Sequence, residues 1–408
     1  MFRRWRFAAA AIVLLAACSE PAAPPADDAI VGSDGENLLT LTRGAVVVHR
    51  TGEAGLHASA VQAIDSDPLS FWATPPGDLD ETMTVALGGD AEIRRIGLSS
   101  GPRAPRHPAR SVRFEASLDG ASFSPLGTVT LDEPGEAWRD VAPARARFLR
   151  IATVPEGTPP WVQVATLLAS GSLRPAPRAS IAGGWTINGV DAWFESRGDA
   201  VRGVTRETPP RLLEGGWEGP IVRLAWSRAN EHGVVALTVD PSGQRMNGIL
   251  WYLWPHRPFF GTTWFGRRND AARPPSGGEP PLSVFLRSDG RYPLYGLSFV
   301  GEQLTAHSSR AVEELASIIG RSEPGRFRLV AHYVDTGSAE SDRRLAAARL
   351  DALRAALRGA GVDPSRAEFA AAGRAAAESA NDRPWTPLQV AVNNRVDLEI
   401  VSRGPTRR

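Results

Sequence analysis

The sequence predicts a multidomain, mostly β chain: an N-terminal β-sandwich, a small antiparallel β domain in the middle, and a C-terminal α/β sandwich. Three observations lead there. Two Pro/Gly-rich stretches, Leu173-Arg174-Pro175-Ala176-Pro177 and Pro274-Pro275-Ser276-Gly277-Gly278-Glu279-Pro280-Pro281, read as linkers and cut the chain into blocks. The first two blocks consist of short alternating or β-branched runs between turn residues, with no long helical period. The third alternates strand-like runs with helical ones. A length of 408 residues accommodates several domains of ordinary size.

The elements follow in chain order. Met1-Phe2-Arg3-Arg4-Trp5-Arg6 and the uncharged apolar run from Phe7 to Ala17 predict a signal peptide over 1–17, too short to span a bilayer. Residues 18–36, rich in Pro, Ala, Asp and Glu, predict a solvated tether. In 37–172 the strand-like runs are Ala45–Val48, Thr82–Leu87, Ile93–Leu98, Ser111–Ser117, Phe148–Val154 and Val162–Leu168, which predicts an antiparallel sandwich. In 180–272, turns at Asn188-Gly189, Arg197-Gly198-Asp199 and Asp240-Pro241-Ser242-Gly243 have the spacing of an up-and-down meander. Trp185, Trp193, Trp217, Trp226, Trp251, Trp254 and Trp264 fall there, and they read as a core before they read as a sugar platform.

Residues 273–281 are the second linker, and 282–402 form the last block. Its strand-like runs are Pro281–Leu286, Tyr295–Val300, Arg326–Val334, Glu368–Ala371 and Val396–Val401, with a Pro- and Asn-rich loop before the last. Val312, Leu315 and Ile319 form one helical stripe behind a cap at Thr305 or Ser308; Ala346, Leu350, Leu353 and Leu357 form a stronger one that stops at Gly359 to Gly361. The order is βαβαβ.

Composition removes several chemistries. All 46 basic residues are arginine, so there is no Schiff-base lysine, phosphate-loop lysine or lysine general base. With 45 acidic residues the net charge is +1, and loss of residues 1–17 with their three arginines leaves −2, so nucleic acid is not an expected partner. Cys18 stands alone, which excludes an intramolecular disulfide and a cysteine zinc site. The seven histidines show no metal-ligand spacing. Gly97-Leu98-Ser99-Ser100-Gly101 matches a nucleophile elbow formally, but Pro102, Pro105 and Pro108 stand where the helix after the serine must start. The expectation is a non-enzymatic protein without a resident cofactor.

Leu15-Ala16-Ala17-Cys18 resembles the lipobox of bacterial lipoproteins. The resemblance implies lipidation at Cys18, stable anchoring through several acyl chains and, with Ser19 following, release to the outer membrane, where the expected orientation is toward the periplasm and the alternative is the cell exterior. His57-Ala58-Ser59-Ala60-Val61-Gln62-Ala63-Ile64-Asp65-Ser66-Asp67, Phe71-Trp72-Ala73-Thr74, Val112-Arg113-Phe114-Glu115-Ala116-Ser117-Leu118-Asp119-Gly120 and Phe148-Leu149-Arg150-Ile151 resemble the discoidin, or galactose-binding-like, jelly roll. That resemblance implies carbohydrate or another surface ligand bound by loops at one end, with Trp138 and Trp161 as candidate stacking residues and Trp72 in the core. It also implies a structural calcium in some members, for which Asp65, Asp67 and Ser70 offer oxygens; alternatively the two aspartates only cap a turn.

Arg328-Leu329-Val330-Ala331-His332, Thr336-Gly337, the helix carrying Leu345 and Arg349, Gly361-Val362-Asp363-Pro364-Ser365-Arg366 and Asn393-Asn394-Arg395-Val396 resemble the OmpA-like domain. The resemblance implies non-covalent binding of peptidoglycan through the diaminopimelate of its stem peptide, an arginine taking the carboxylate and an aspartate the ammonium. Arg349 matches the arginine, and Asp335, Arg395 and His332 are the companion candidates. The chain departs from the pattern at the aspartate position, which is Val334, and at Ala331, Asp342 and Asn394. Arg349 could instead be a solvated helix residue pairing with Glu340 or Asp342.

The expected function is an outer-membrane lipoprotein tethering the envelope to peptidoglycan, with β domains that bind carbohydrate or an envelope protein. The alternative is a carbohydrate-binding surface receptor or adhesin subunit whose C-terminal domain has lost peptidoglycan binding.

Overall fold

The computed structural model describes residues 36–101, 107–252, 261–334, 338–374 and 386–401. The signal, Cys18, Trp254 and Asp335 lie outside the described residues. The chain is mostly β, 46% strand and 18% helix.

In the N-terminal block the strands are β1 (Val46–Arg50), β2 (Trp72–Ala73), β3 (Thr82–Ser99), β4 (Ser111–Ser117), β5 (Ser124–Thr130), β6 (Glu136–Val154), β7 (Gln163–Val164) and β8 (Thr166–Pro175). Six form an antiparallel sheet in the order β1-β3-β6-β4-β5, with β8 on β3, and β2 pairs with β7 separately. Register shifts at Ala86/Ala91 and Ile93/Arg95 mark bulges that bend the long strand β3. One stretch read as a linker is strand: β8 runs to Pro175, which pairs with Gly89. The alternation of β3 and β6 puts Met83, Val85, Leu149 and Ile151 into a core around Trp72, which is fully buried.

The middle block closes on itself. Strands β9 (Gly183–Ile187), β10 (Val190–Arg197), β11 (Ala200–Thr205), β12 (Arg211–Glu218), β13 (Ile221–Arg228), β14 (Glu231–Val239), β15 (Arg245–Tyr252) and β16 (Gly261–Arg268) make an antiparallel barrel. The pairing of Gly266 with Ile187 joins β16 to β9 and removes the open edges of a meander. Trp185, Phe194, Trp217, Trp226 and Trp264 fill the interior. Glycines opposite them make room, since a Cβ on Gly203 would sit 2.5 Å from the Phe194 ring and one on Gly233 would sit 2.9 Å from the Trp226 indole. These indoles are core.

The third block contains α1 (Pro281–Ser288), β17 (Arg291–Pro293), β18 (Phe299–Val300), β19 (Gln303–Leu304), α2 (Ser309–Arg321), β20 (Phe327–His332), α3 (Ala339–Gly359), β21 (Ala367–Gly373), α4 (Pro387–Asn393) and β22 (Arg395–Ile400). The sheet order is β17-β22-β20-β21, with β20 and β21 parallel and the other pairs antiparallel. Both helical stripes hold: Val312, Leu315 and Ile319 of α2, and Ala346, Leu350, Leu353 and Leu357 of α3, pack on Leu329, Ala331, Val396 and Leu398.

Two expectations are corrected here. The run Pro281–Leu286 is helical, because Pro281 suits a first turn and Val284 and Phe285 bury one face. Consequently the opening strand is Arg291–Pro293, and only Phe299–Val300 of the expected Tyr295–Val300 run is strand. The Pro- and Asn-rich loop contains α4, started by a capping box in which Thr386 and Gln389 satisfy each other's backbone N–H.

The blocks share a core. Ala225, Val234, Ala236 and Trp251 on the barrel exterior, Leu41 from the sandwich side, and Phe285, Tyr295 and Val392 from the last block belong to one apolar cluster. Asn247 on the barrel hydrogen-bonds both the N–H and the carbonyl of Val47. Ser59 donates to Thr263 Oγ1 at 2.8 Å, and Thr238 donates to the Leu41 carbonyl at 3.0 Å. On the other side Ser227 donates to the Glu279 carbonyl at 2.7 Å, and Arg223 donates to the Ala391 carbonyl at 2.8 Å. Residues 273–281 therefore run against the barrel. A shared apolar core of this kind resists the relative motion expected of separately folded domains.

Candidate functional site

Strand alternation separates the residues expected around a C-terminal ligand. On β20, Leu329 and Ala331 point to the helices, so His332 points to the opposite face. On β22 the same rule sends Arg395 and Asp397 to that opposite face. There they form a closed network. Arg395 forks onto Asp397 at 2.8 and 3.1 Å and gives its remaining terminal nitrogen to Asn393 Oδ1 at 2.8 Å. His332 Nε2 lies 3.2 Å from Asp397 Oδ2. Burial raises the Asp397 pKa, but the Arg395 charge and the His332 contact outweigh it and hold the carboxyl well below the usual carboxylate range. His332 and Arg395 are 2% and 7% exposed.

Arg349 lies on the helix face of the sheet, apart from that network. It sits midway along α3 and is 8% exposed. Its Nε donates to the Gly301 carbonyl at 2.9 Å, at the tip of the β18–β19 hairpin. The guanidinium carbon stands 4.4 Å from the Tyr333 ring centre and 5.1 Å from that of Phe299. No carboxylate among the described residues pairs with it, including Glu340 and Asp342; the latter instead takes Arg374. Burial pulls the Arg349 pKa below the ordinary arginine value, with Tyr333 and Glu218 pushing it back. Buried arginines normally come paired, and this one rests between two rings with no carboxylate partner among the described residues. The fixed fork of a guanidinium suits a carboxylate.

The other candidates stand elsewhere. Trp138, near the start of β6, is half-buried beneath the Arg95 guanidinium at 4.7 Å, and its indole N–H donates to Glu136. Trp161, beyond the far end of β6, is half-buried and meets His107 edge-on, with ring centres 4.9 Å apart. Asp65 Oδ1 accepts from the Asp67 N–H at 2.8 Å and from Ser70 Oγ at 2.9 Å, while Asp67 Oδ1 accepts from the Leu69 N–H at 3.0 Å. Burial pushes the Asp65 carboxyl well above its ordinary pKa. These three residues build a turn. Among the described residues no group of three or more His, Cys, Asp or Glu side chains is placed to hold a metal ion.

Sequence reasoning did not anticipate Phe299, Gly301 and Tyr333 around Arg349, nor the barrel residues Glu218 and Arg223 near it. Phe299 and Tyr333 lay inside runs read as strand, where only the register shows which way a ring turns. The barrel residues carry no local signal, because docking alone brings them there.

No family model matches the chain, and no curated protein matches it. Solved structures similar to part of it include CBM32-3 from a family 31 glycoside hydrolase of Clostridium perfringens, at 17% identity, covering 32% of this chain and 92% of that one with a TM-score of 0.29. A C-terminal domain of a chitobiase from Bacteroides fragilis matches at 21% identity over 32% of this chain and 96% of that one, TM-score 0.30. Chitosan-binding module 1 from a chitosanase/glucanase of a Paenibacillus species matches at 20% identity over 33% and 99%, TM-score 0.29.

Proposed function

We propose that this chain is a lipid-anchored envelope protein that grips peptidoglycan through Arg349, which receives a carboxylate of the stem-peptide diaminopimelate. The observation that carries the reading is the buried guanidinium of Arg349, oriented by Gly301 and two rings and without a carboxylate partner among the described residues. Cys18 is the lipidation site in this reading, with the protein on the periplasmic face of the outer membrane. His332 and Arg395 shape the sheet from its other face and do not touch the ligand.

The test is co-sedimentation of the full mature chain with purified peptidoglycan. The whole chain is needed because the last block shares its core with the barrel. Wild type pellets, and Arg349→Met, which keeps much of the packing, stays in the supernatant. Absence of wild-type pelleting refutes the reading, and equal pelleting removes Arg349 from it.

A second reading is carbohydrate binding at the end of the sandwich that carries Trp161. A half-buried indole beside His107 can stack a sugar's apolar face. Glycan-array binding by wild type that is lost in Trp161→Ala supports it, and an unchanged array rejects it.

A further inference from the structure

Sandwich and barrel touch at one point and stand apart beside it. Glycines permit the touch: a Cβ on Gly44 would sit 3.0 Å from the Gly88 Cα and 3.7 Å from the Pro220 side chain. Next to it lies an open cavity of about 320 Å³, within the range of about 300–1,000 Å³ in which small-molecule sites fall. Both blocks build its walls. Pro175 ends β8 and Pro177 follows it, Trp217 lies near the end of β12, and Pro220 and Pro241 come from the two barrel turns that close this end. The four prolines each have a fixed φ, so these walls keep their shape with or without a guest. They offer water few hydrogen-bond partners, which favours an apolar occupant.

The charge around this cavity is one-sided, because its lining includes Arg43 and Arg178 and no acidic residue. The Arg178 guanidinium carbon stands 4.7 Å from the Trp217 ring centre, and Asp199 holds it there at 2.6 Å. Arg43 is paired only with the exposed Glu36 among the acids of the described residues. A surface pair of that kind contributes little and gives way to a better-placed anion. We propose that the cavity is a second ligand site, separate from Arg349, for a small amphiphile with an aliphatic body and a carboxylate head. The body lies between the prolines and Trp217, and the head exchanges with Glu36 on Arg43, whose guanidinium can fork onto both carboxylate oxygens. Arg178 stays on Asp199 and adds positive charge at the rim. The absence of an acid from the lining disfavours a cationic head of the same length.

The test titrates octanoate, 1-octanol and octylammonium, equal in chain length and different in head, into the full mature chain by calorimetry. Wild type binds octanoate about tenfold more tightly than 1-octanol, as expected for one charge-assisted hydrogen bond, and octylammonium more weakly than either. Arg43→Gln brings octanoate to the level of 1-octanol and leaves 1-octanol unchanged. Ala176→Leu, which enlarges a lining residue, removes octanoate binding. Its thermal midpoint reports whether the fold is kept, and Ala179→Leu, at another lining position, takes its place where it is not. Octanoate binding that survives the filled cavity, a preference for octanoate that survives Arg43→Gln, equal wild-type affinity for octanoate and octylammonium, or no binding of octanoate overturns the proposal. None of these outcomes touches the reading of Arg349, which peptidoglycan pelleting tests separately.

Discussion

Replacing Asp397 by Asn should be among the most costly single changes in the last block. The carboxylate is 2% exposed, and it is the acceptor for two Arg395 bonds and the neighbour of His332. With the charge gone, Arg395, 4% exposed at its side chain, keeps only Asn393 Oδ1 and one amide oxygen. Breaking a buried ion pair from one side costs about 3–5 kcal/mol, and the remaining amide oxygen returns about 1 kcal/mol. The expected loss is about 2–4 kcal/mol, a large share of a typical folding free energy of about 5–15 kcal/mol. Urea unfolding followed by tryptophan fluorescence measures it. Replacing both partners, Arg395→Met with Asp397→Leu, should cost less than Asp397→Asn alone, because no charge is left buried. The sign of the pH effect follows from the depressed pKa. A group whose folded pKa lies below its unfolded one stabilises the fold above the unfolded value, about 4. The gap between wild type and variant is therefore full at neutral pH and shrinks as pH falls below about 4. A loss under about 1 kcal/mol, or a gap unchanged down to pH 3, refutes the assignment of this network as structural support.

Gly203→Ala places a Cβ 2.5 Å from the Phe194 ring inside the barrel. It should cost about 1–3 kcal/mol by overpacking, and an unchanged thermal midpoint contradicts the packed interior. Asn247→Ala removes the two-way bond to Val47 and leaves that backbone pair unsatisfied. A loss of about 1–3 kcal/mol is expected in urea unfolding, and a neutral result denies the lock between sandwich and barrel. The raised Asp65 pKa has the opposite sign from that of Asp397: its contribution is present at low pH and is lost as pH rises through the folded value. Asp65→Asn, which keeps the Oδ1 acceptor, should therefore compare better with wild type as pH rises in thermal melts. Millimolar calcium should leave the wild-type midpoint unchanged, and a calcium-dependent rise restores the metal reading of Asp65, Asp67 and Ser70.

Periodicity revealed what depends on neighbours in the chain. The stripes of α2 and α3 and the runs at Ser111–Ser117 and Arg326–Val334 were legible, because a buried face imposes its own spacing. Helix α1 was misread as a strand because Leu282, Val284 and Leu286 alternate; its proline start and docking on the barrel decided otherwise. Helix α4 is seven residues long and leaves too short a period to detect, although Thr386 and Gln389 were a capping signal in plain view. Closure of the barrel rests on pairing between β9 and β16, far apart in sequence, and nothing local encodes it.

The site divides along the same line. Arg349 was visible from its place on the helix, whereas His332 and Arg395 were grouped with it although an alternating strand turns them to the other face. The turn that buries Asp65 was visible as an alternative to a metal site, but its depth was not. The bond from Arg223 to the Ala391 carbonyl became visible only once the barrel was docked.

The central claim is that Arg349 receives a carboxylate, and the most direct measurement is the affinity of the mature chain for a stem-peptide fragment with a free or an amidated diaminopimelate carboxylate. The account predicts that amidation weakens wild-type binding about tenfold or more and leaves Arg349→Met, already weak, unchanged. Equal affinity of wild type for the two fragments would contradict it.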